Sequence, residues 1–253
     1  MSDPFESSHR KVARAKKHLK DLRVEIVKFV NGNRYERVIE ADLDNPGNTI
    51  HKIKLTEELS PDIGDAVADI AQNLRNALDN AAYAVAVASG LTNPKTCAFP
   101  FARSATDMAS SIGRCKDVPK EIQSLFCGFQ PYLGGDDLLW ALNEICITDK
   151  HKIAVPIGHA LMQGPMGLKG TGFFSTPVGG PVWDRAKNEM VFITFGPGAK
   201  YTYDFKFQLF VAFNEIQIVD GKPVFAVLNT LCGKVESILM GIEAESKRLK
   251  IIK

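Results

Sequence analysis

The 253-residue sequence has few of the motifs that identify a protein's chemistry. It contains no G-x-S-x-G, no H-E-x-x-H and no G-x-G-x-x-G after a strand, so hydrolase, zincin and dinucleotide-binding interpretations have no support. In a glycine-rich stretch, residues 164–171, the order is Lys-Gly-Thr where a phosphate-binding loop needs Gly-Lys followed by Thr or Ser. We therefore expect no cofactor.

Cysteine is scarce and scattered. It never forms a C-x-x-C pair, which argues against both a zinc site and a disulfide framework. No secretory signal is recognisable, and no uninterrupted apolar run approaches the roughly 20 residues of a membrane span. We expect a cytoplasmic protein with no metal site, no membrane contact and reduced thiols at its five cysteines, Cys97, Cys115, Cys127, Cys146 and Cys232.

The chain also lacks a strong charge of either sign. A net charge of +2 and a pI near 8.2 give no general attraction to polyanions. Residues 1–30 have a local basic excess, with eight Lys or Arg against four Asp or Glu. Such an excess is typical of an RNA or phosphate footprint, but acidic residues interrupt it, and we favour a solvated helix face.

The strongest secondary-structure pattern runs from Ser60 to Gly90. Ser60 is a good N-cap, Pro61 suits the first helical position, and Gly90 can adopt the left-handed conformation that stops a helix. Apolar residues follow one another at steps of three and four, which predicts a long helix with one buried face. They are Ile63, Val67, Ile70, Leu74, Ala77, Leu78, Ala81 and Val85.

The remaining patterns predict an α+β fold: an antiparallel bundle of long amphipathic helices with an N-terminal β-hairpin and a C-terminal antiparallel β-sheet. We expect one compact unit over residues 1–253, with a helical part at 8–152, a β-rich part at 153–228 and a closing helix at 229–250. The other long helices are predicted at 8–30 and at 136–148, where Asp136 or Asp137 can act as the N-cap, and short ones at 104–114 and 119–127. Strands are predicted at 35–42 and 49–55 in the hairpin and at 153–162, 172–176, 190–195, 203–219, with a break near Asn214, and 223–227.

A polar arc on the long helix is the first candidate site. Arg75 and Asp79 are four residues apart, so they can pair on one face. A surface ion pair explains this spacing, and so does a guanidinium that a carboxylate orients towards a phosphate. Candidate binding residues on the same arc are Asn76, Asn80 and Tyr83.

The end of the 136–148 helix is the second candidate site. His151 is a natural proton donor or acceptor near neutral pH, with Asp149 and Lys150 beside it and Asn143 two turns earlier. The alternative is a helix C-terminus with favourable positive charge. Together the two patterns make Arg75, Asp79 and His151 the candidate catalytic residues.

These motifs carry a resemblance to a group of uncharacterised bacterial proteins. The shared pattern is N-L-R-x-A-L-D-H, then Q-P-Y, then D-K-H followed by Arg or Lys. The chain has it at residues 73–80, 130–132 and 149–152, with Asn80 where the group has His.

The arginine and the position five residues later are also similar, more distantly, to the R-x4-H motif of HEPN domains. Many HEPN domains are metal-independent RNA endonucleases that act at a dimer interface. The resemblance implies that Arg75 acts on the scissile phosphate and that RNA and a second copy of the chain are partners. Because Asn80 cannot exchange a proton near neutral pH, His151 would have to act as the base.

A non-catalytic module explains the same residues. In that interpretation they form a buried polar network that fixes helix register, or a pocket for a small ligand or a partner protein. The sequence leaves both hypotheses open.

Overall fold

The computed structural model describes residues 3–32, 34–91, 97–116, 118–151, 157–163, 167–204 and 206–253, without the side chains of residues 148–151 and 157–163. The fold is α+β, as the sequence predicts. Its helices are α1 (Glu6–Asn31), α2 (Pro61–Ala88), α3 (Met108–Ile112), α4 (Lys120–Gly128), α5 (Asp137–His151) and α6 (Val224–Arg248), with a 3-10 turn at Gly113–Cys115. Its strands are β1 (Tyr35–Ala41), β2 (Thr49–Leu55), β3 (Ile157–Gln163), β4 (Lys169–Thr171), β5 (Phe174–Ser175), β6 (Trp183–Asp184), β7 (Glu189–Phe195), β8 (Lys200–Thr202) and β9 (Lys206–Ala212).

Contacts along the chain group it into two compact units. The helical unit comprises Met1–Arg23, Pro61–Val155 and Phe213–Lys253, and the β unit comprises Val24–Ser60 and Pro156–Ala212. The single compact unit expected from the sequence stays a prediction.

Helix α2 is the core of the helical unit, and its ends follow the predicted signals. It starts at Pro61, directly after the expected cap residue, and Gly90 has a φ of +93° two residues beyond its end. The Leu91 N–H donates to the Ala86 carbonyl at 3.2 Å, which closes the last turn. Half of the 28 residues of α2 are buried, and the helix packs against α5 and α6.

Helix α5 begins where an aspartate caps it. The Asp136 carboxylate accepts a hydrogen bond from the Leu139 N–H at 2.9 Å, in agreement with the predicted cap. Asp136 also forms an ion pair with Lys234 of α6, so the cap residue connects two helices.

Helix α6 starts five residues earlier than predicted. The sequence predicts a strand at residues 223–227, and this prediction is wrong, because Val224 opens the helix after Pro223. The apolar and β-branched residues there resemble a strand locally. However, Val224, Val227 and Leu228 continue the helical spacing of the buried residues that follow, and burial of that continuous face favours the helix.

In the β unit, the hairpin strands β1 and β2 share one antiparallel sheet with three of the C-terminal strands, β5, β6 and β7. Strands β1 and β2 pair over their whole length, as predicted, and β2 then pairs with β7. The hairpin is therefore not separate from the C-terminal sheet. The short strands β5 and β6 also pair with β7, and two further pairs are β3 with β9 and β4 with β8.

Several predicted strands are shorter in the structure. The 203–219 strand is β9 alone, since residues 213–222 form a turn with Glu215 at a φ of +63°. The 172–176 strand contracts to the two residues of β5, and the separate short strand β8, which pairs with β4, precedes the predicted start at residue 203. Strand β3 covers the second half of the 153–162 prediction, whose residues 153–156 lie outside the described residues.

A buried lysine connects three strands of the sheet. Lys52 of β2 is 6% exposed, and its Nζ lies 2.6 Å from Glu40 Oε1 of β1 and 2.7 Å from Glu189 Oε2 of β7. Burial alone lowers the pKa of Lys52, but the hydrogen bonds to Glu189 and Glu40 outweigh this effect and raise it. The ammonium therefore remains charged within the sheet.

Within the part of the chain that the structure describes, α6 alone is long and apolar enough to cross a membrane by length and composition. Its most apolar window has a mean hydropathy of 1.4, and 44% of that window is buried inside the protein. A core helix passes the same test.

Two valines of α2 provide a matched test of this core. Val85 is fully buried and Val87 is 44% exposed. We expect Val85→Ala to lower the free energy of unfolding by about 2 kcal/mol, because it removes buried methyl groups and leaves a cavity. Val87→Ala should change it by less than about 0.5 kcal/mol. Urea unfolding measures both, and equal effects would contradict the placement of the buried face.

Candidate functional site

Residues 97–103 run beside α2 and are held there by three hydrogen bonds. The Asp79 carboxylate accepts from the Phe99 N–H at 3.0 Å. The Ala102 N–H donates to the Pro131 carbonyl at 3.1 Å, and the Ser111 hydroxyl donates to the Phe101 carbonyl at 2.8 Å. The segment therefore has fixed positions relative to α2, α3 and the turn before α5.

Between this segment, α2, α3 and α5 lies a pocket of about 440 Å³, here called the Arg75 pocket. Such a volume is within the range of small-ligand sites. Helix α5 supplies Asn143, Glu144 and Ile147. The other lining residues are Arg75, Phe99, Phe101, Ala102, Arg103, Asp107, Ser110, Ser111 and Arg114.

The Arg75 guanidinium is the most unusual group in the pocket. Its Nη1 is buried and has no hydrogen-bond partner among the described residues. Its Cζ lies 5.5 Å from the centre of the Phe101 ring, so the aromatic face holds the cation in place. A buried N–H of a charged group without an acceptor is costly, and an anion in the pocket would remove that cost.

The predicted ion pair between Arg75 and Asp79 does not form. No ion pair joins the two residues in the described structure, and the Asp79 carboxylate accepts a hydrogen bond from the backbone N–H of Phe99. Asp79 therefore positions the pocket segment.

The remaining charges of the pocket are mixed, with a cationic excess. Arg103 and Arg114 are exposed and join Arg75 against two carboxylates, Asp107 and Glu144. The Ser104 hydroxyl donates to Asp107 at 2.8 Å and the Asn143 amide donates to Glu144 at 3.2 Å, so both carboxylates already have donors.

The other predicted residues of α2 lie elsewhere. The Asn76 side chain accepts a hydrogen bond from Gln72 at 2.9 Å, and the Asn80 amide donates to the Ser7 hydroxyl of α1 at 3.0 Å. Tyr83 is 44% exposed, and none of these three residues lines the Arg75 pocket. Of the predicted site residues, the structure thus brings Arg75 and Asn143 together in the Arg75 pocket. Asp79 does not line the pocket but bonds to the backbone of Phe99, which does.

The side chains of Asp149, Lys150 and His151 are outside the described residues. The backbone of α5 continues through these positions. Position 151 follows Ile147 by four residues, and one helical turn has 3.6 residues, so the two positions belong to the same face of α5.

Sequence reasoning missed the pocket residues contributed by the segment after α2. Phe101, Arg103 and Arg114 belong to stretches that predict a connection and short helices, without periodicity. The signal that was available is the pair of aromatic residues followed by an arginine in Phe99-Pro100-Phe101-Ala102-Arg103, since aromatic and basic side chains together form anion and nucleic-acid surfaces.

A second polar cluster lies in the β unit around His51. The ring is fully buried, and its Nδ1 and Nε2 lie 2.7 and 2.8 Å from the hydroxyls of Tyr203 and Tyr201. A neutral imidazole accepts a hydrogen bond at one nitrogen and donates at the other, so one tyrosine donates and the other accepts. Burial lowers the pKa of His51 and favours this neutral form.

The search for metal ligands in the described residues found no group of three or more His, Cys, Asp or Glu side chains that could hold an ion. Comparisons with protein-family models, with curated proteins and with solved structures found no match for this chain.

The hydrogen bond between the Asp79 carboxylate and the Phe99 N–H should contribute measurably to the free energy of unfolding. We expect Asp79→Ala to lower the free energy of unfolding by about 1–2 kcal/mol, because the Phe99 N–H, on a residue that is 2% exposed, loses its acceptor. Asp79→Asn retains an acceptor oxygen and should cost less. Asp69→Ala, at an exposed position of the same helix, is the control for the changed helix propensity. An equal loss in Asp79→Asn and Asp79→Ala would argue against this role.

The His51 cluster should make the β unit sensitive to mild acid. Because the folded-state pKa of His51 is lowered, its contribution to stability is complete above the unfolded value of about 6.5 and declines as the pH falls below it. Urea unfolding at pH 7.5 and 5.5 can be followed by Trp183 fluorescence in a Trp140→Phe background, which leaves one tryptophan. The pH dependence should shrink in His51→Asn, and an undiminished dependence would exclude His51 as its source.

Proposed function

We propose that this protein binds RNA through the Arg75 pocket, with Arg75 holding a phosphate. The observation that carries the proposal is the buried Nη1 of Arg75, which has no hydrogen-bond partner among the described residues and lies in a pocket with two further arginines. A phosphate oxygen is a strong acceptor, and the planar guanidinium can offer it two parallel donors.

The rest of the pocket supports a nucleotide more than an isolated inorganic ion. Phe101 is partly exposed and offers a surface for base stacking, which contributes about 1–3 kcal/mol per base in single-strand binding. Ser110 and Asn143 add neutral hydrogen-bonding groups that can contact a ribose or a base edge. Arg103 and Arg114, which are exposed, can contact neighbouring phosphates.

We further propose that bound RNA is cleaved without a metal, with His151 as proton donor or acceptor and Asp79 as the residue that orders the wall of the pocket. The shared α5 face of positions 147 and 151 supports this role for His151. The HEPN-like antiparallel bundle of long helices and the homodimer that the resemblance implies belong to the same proposal.

The alternative is a non-catalytic module that binds a small anionic ligand or a partner protein. The observation that favours it is the mixed charge of the pocket, since Asp107 and Glu144 oppose a polyanion. A compact anion can contact Arg75 while remaining away from both carboxylates.

The binding test uses fluorescence anisotropy with a labelled single-stranded RNA and the matched DNA. We expect Arg75→Ala to weaken RNA binding roughly tenfold, about 1.4 kcal/mol, because it removes charge-assisted hydrogen bonds. The salt dependence, as the slope of log K against log salt, should fall by about one. Arg75→Lys should recover only part of the loss, since an ammonium lacks the guanidinium fork.

Arg23 provides the matched control, because its Cζ lies 5.2 Å from the Phe225 ring in a similar arrangement on an exposed part of α1. If Arg23→Ala weakens binding as much as Arg75→Ala, the pocket is not the site. Incubation of the same RNA in EDTA then separates the two hypotheses. If the protein cleaves RNA but not DNA and His151→Ala abolishes the cleavage, the result supports the nuclease. Binding without cleavage supports the non-catalytic module.

A further inference from the structure

Two cysteines that are 18 residues apart in the sequence come into contact in the helical unit. The Sγ atoms of Cys97 and Cys115 are 3.6 Å apart. The Cys115 thiol also donates to the Ala98 carbonyl at 3.0 Å, and the Cys97 thiol lies 3.5 Å from the Ala82 carbonyl of α2. The pair therefore joins α2, the pocket segment and the 3-10 turn that ends at Cys115.

The two thiols differ in access and in chemistry. Cys97 is half-buried, whereas Cys115 is 1% exposed. The hydrogen bond from Cys97 lowers the pKa of Cys115, against the effect of burial, and the positive charge of Arg114 acts in the same direction. The half-buried Cys97 is therefore the thiol that can meet an external disulfide. The thiolate is the nucleophile in disulfide exchange, so the lowered pKa of the buried Cys115 favours the second, internal attack on Cys97 Sγ.

The neighbouring thiols lack this combination. Burial raises the pKa of Cys127, and the charge of Cys115 raises it further, so Cys127 stays protonated. Burial raises the pKa of Cys232 to about 11. Both therefore serve as internal controls for the chemistry of the pair.

We propose that Cys97 and Cys115 form a reversible disulfide by exchange with a low-molecular-weight disulfide such as oxidised glutathione. The Cys97 thiolate attacks one sulfur of the external disulfide, forming a mixed disulfide and releasing one thiolate. The Cys115 thiolate then attacks Cys97 Sγ and releases the second thiolate. The two protons from the protein thiols end on the two released thiols, so one external disulfide is reduced as one protein disulfide forms.

The disulfide would act on the wall of the Arg75 pocket. Bond formation shortens the distance between the two sulfurs from 3.6 Å to roughly 2.05 Å. Phe99 follows Cys97 by two residues and Arg114 directly precedes Cys115, and both line the pocket. The bond would therefore tie the pocket segment to the 3-10 turn. The exchange chemistry does not depend on whether the pocket binds RNA.

The test is a titration of the full chain with mixtures of reduced and oxidised glutathione, followed by intact mass and peptide mapping. The expected product has lost two hydrogen atoms and contains one cross-link, between Cys97 and Cys115, which excess reduced glutathione reverses. Cys127→Ser should behave as the unchanged protein. Cys115→Ser should stop at a mixed disulfide on Cys97, one glutathione heavier, and Cys97→Ser should remain unmodified at Cys115.

The unchanged protein decides the question even if a variant folds poorly. The absence of the cross-link under fully oxidising mixtures, a cross-link to Cys127, or a stable mixed disulfide at Cys97 would each overturn the proposal. Amide hydrogen exchange provides a second measurement that requires no ligand. The Phe99 amide should exchange more slowly in the oxidised protein than in the reduced one, and an unchanged rate would exclude an effect on the pocket wall.

Discussion

The helical unit depends on the burial of α2. Val67, Ile70, Leu74 and Leu78 are fully buried, and α5 and α6 pack against the helix. This burial determines which side chains of α2 remain at the edge of the core, where a polar group must find a partner or a solvent path. Arg75 and Asp79 lie at that edge, and each meets this constraint differently.

Asp79 meets it by accepting a hydrogen bond from the backbone of residue 99, which fixes the segment that carries Phe101. Phe101 then holds the Arg75 cation through its ring, without supplying an acceptor for Nη1. The pocket is therefore a consequence of how one carboxylate is used. The same segment brings Cys97 to Cys115, so the Arg75 pocket and the thiol pair share one structural element.

Local sequence patterns correctly predicted those features of the helices that depend on neighbouring residues. The cap at Asp136, the left-handed Gly90 and the apolar spacing of α2 depend on residues within a few positions of each other, and the structure has the corresponding helix ends. The strand prediction at 223–227 is wrong because the conformation of these residues depends on residues well beyond them. The apolar face of α6 continues through this stretch, so it is helical. The pairing of strands that are distant in the sequence could not be predicted from local patterns either. An example is the pairing of β2 with β7, which places Lys52 beside Glu189.

The sequence by itself determined the α+β class, the hairpin, the approximate bounds of the long helices and the position of Arg75 on the polar arc of a helix with one buried face. Only the tertiary structure decided that Arg75 faces Phe101 and Asn143, that Asp79 binds a backbone N–H, and that His51 is enclosed by two tyrosines 150 and 152 residues away. The physical reason is that helix periodicity, capping and turn formation depend on neighbouring residues. Partners for buried polar groups come from distant parts of the chain, and packing of the core selects them.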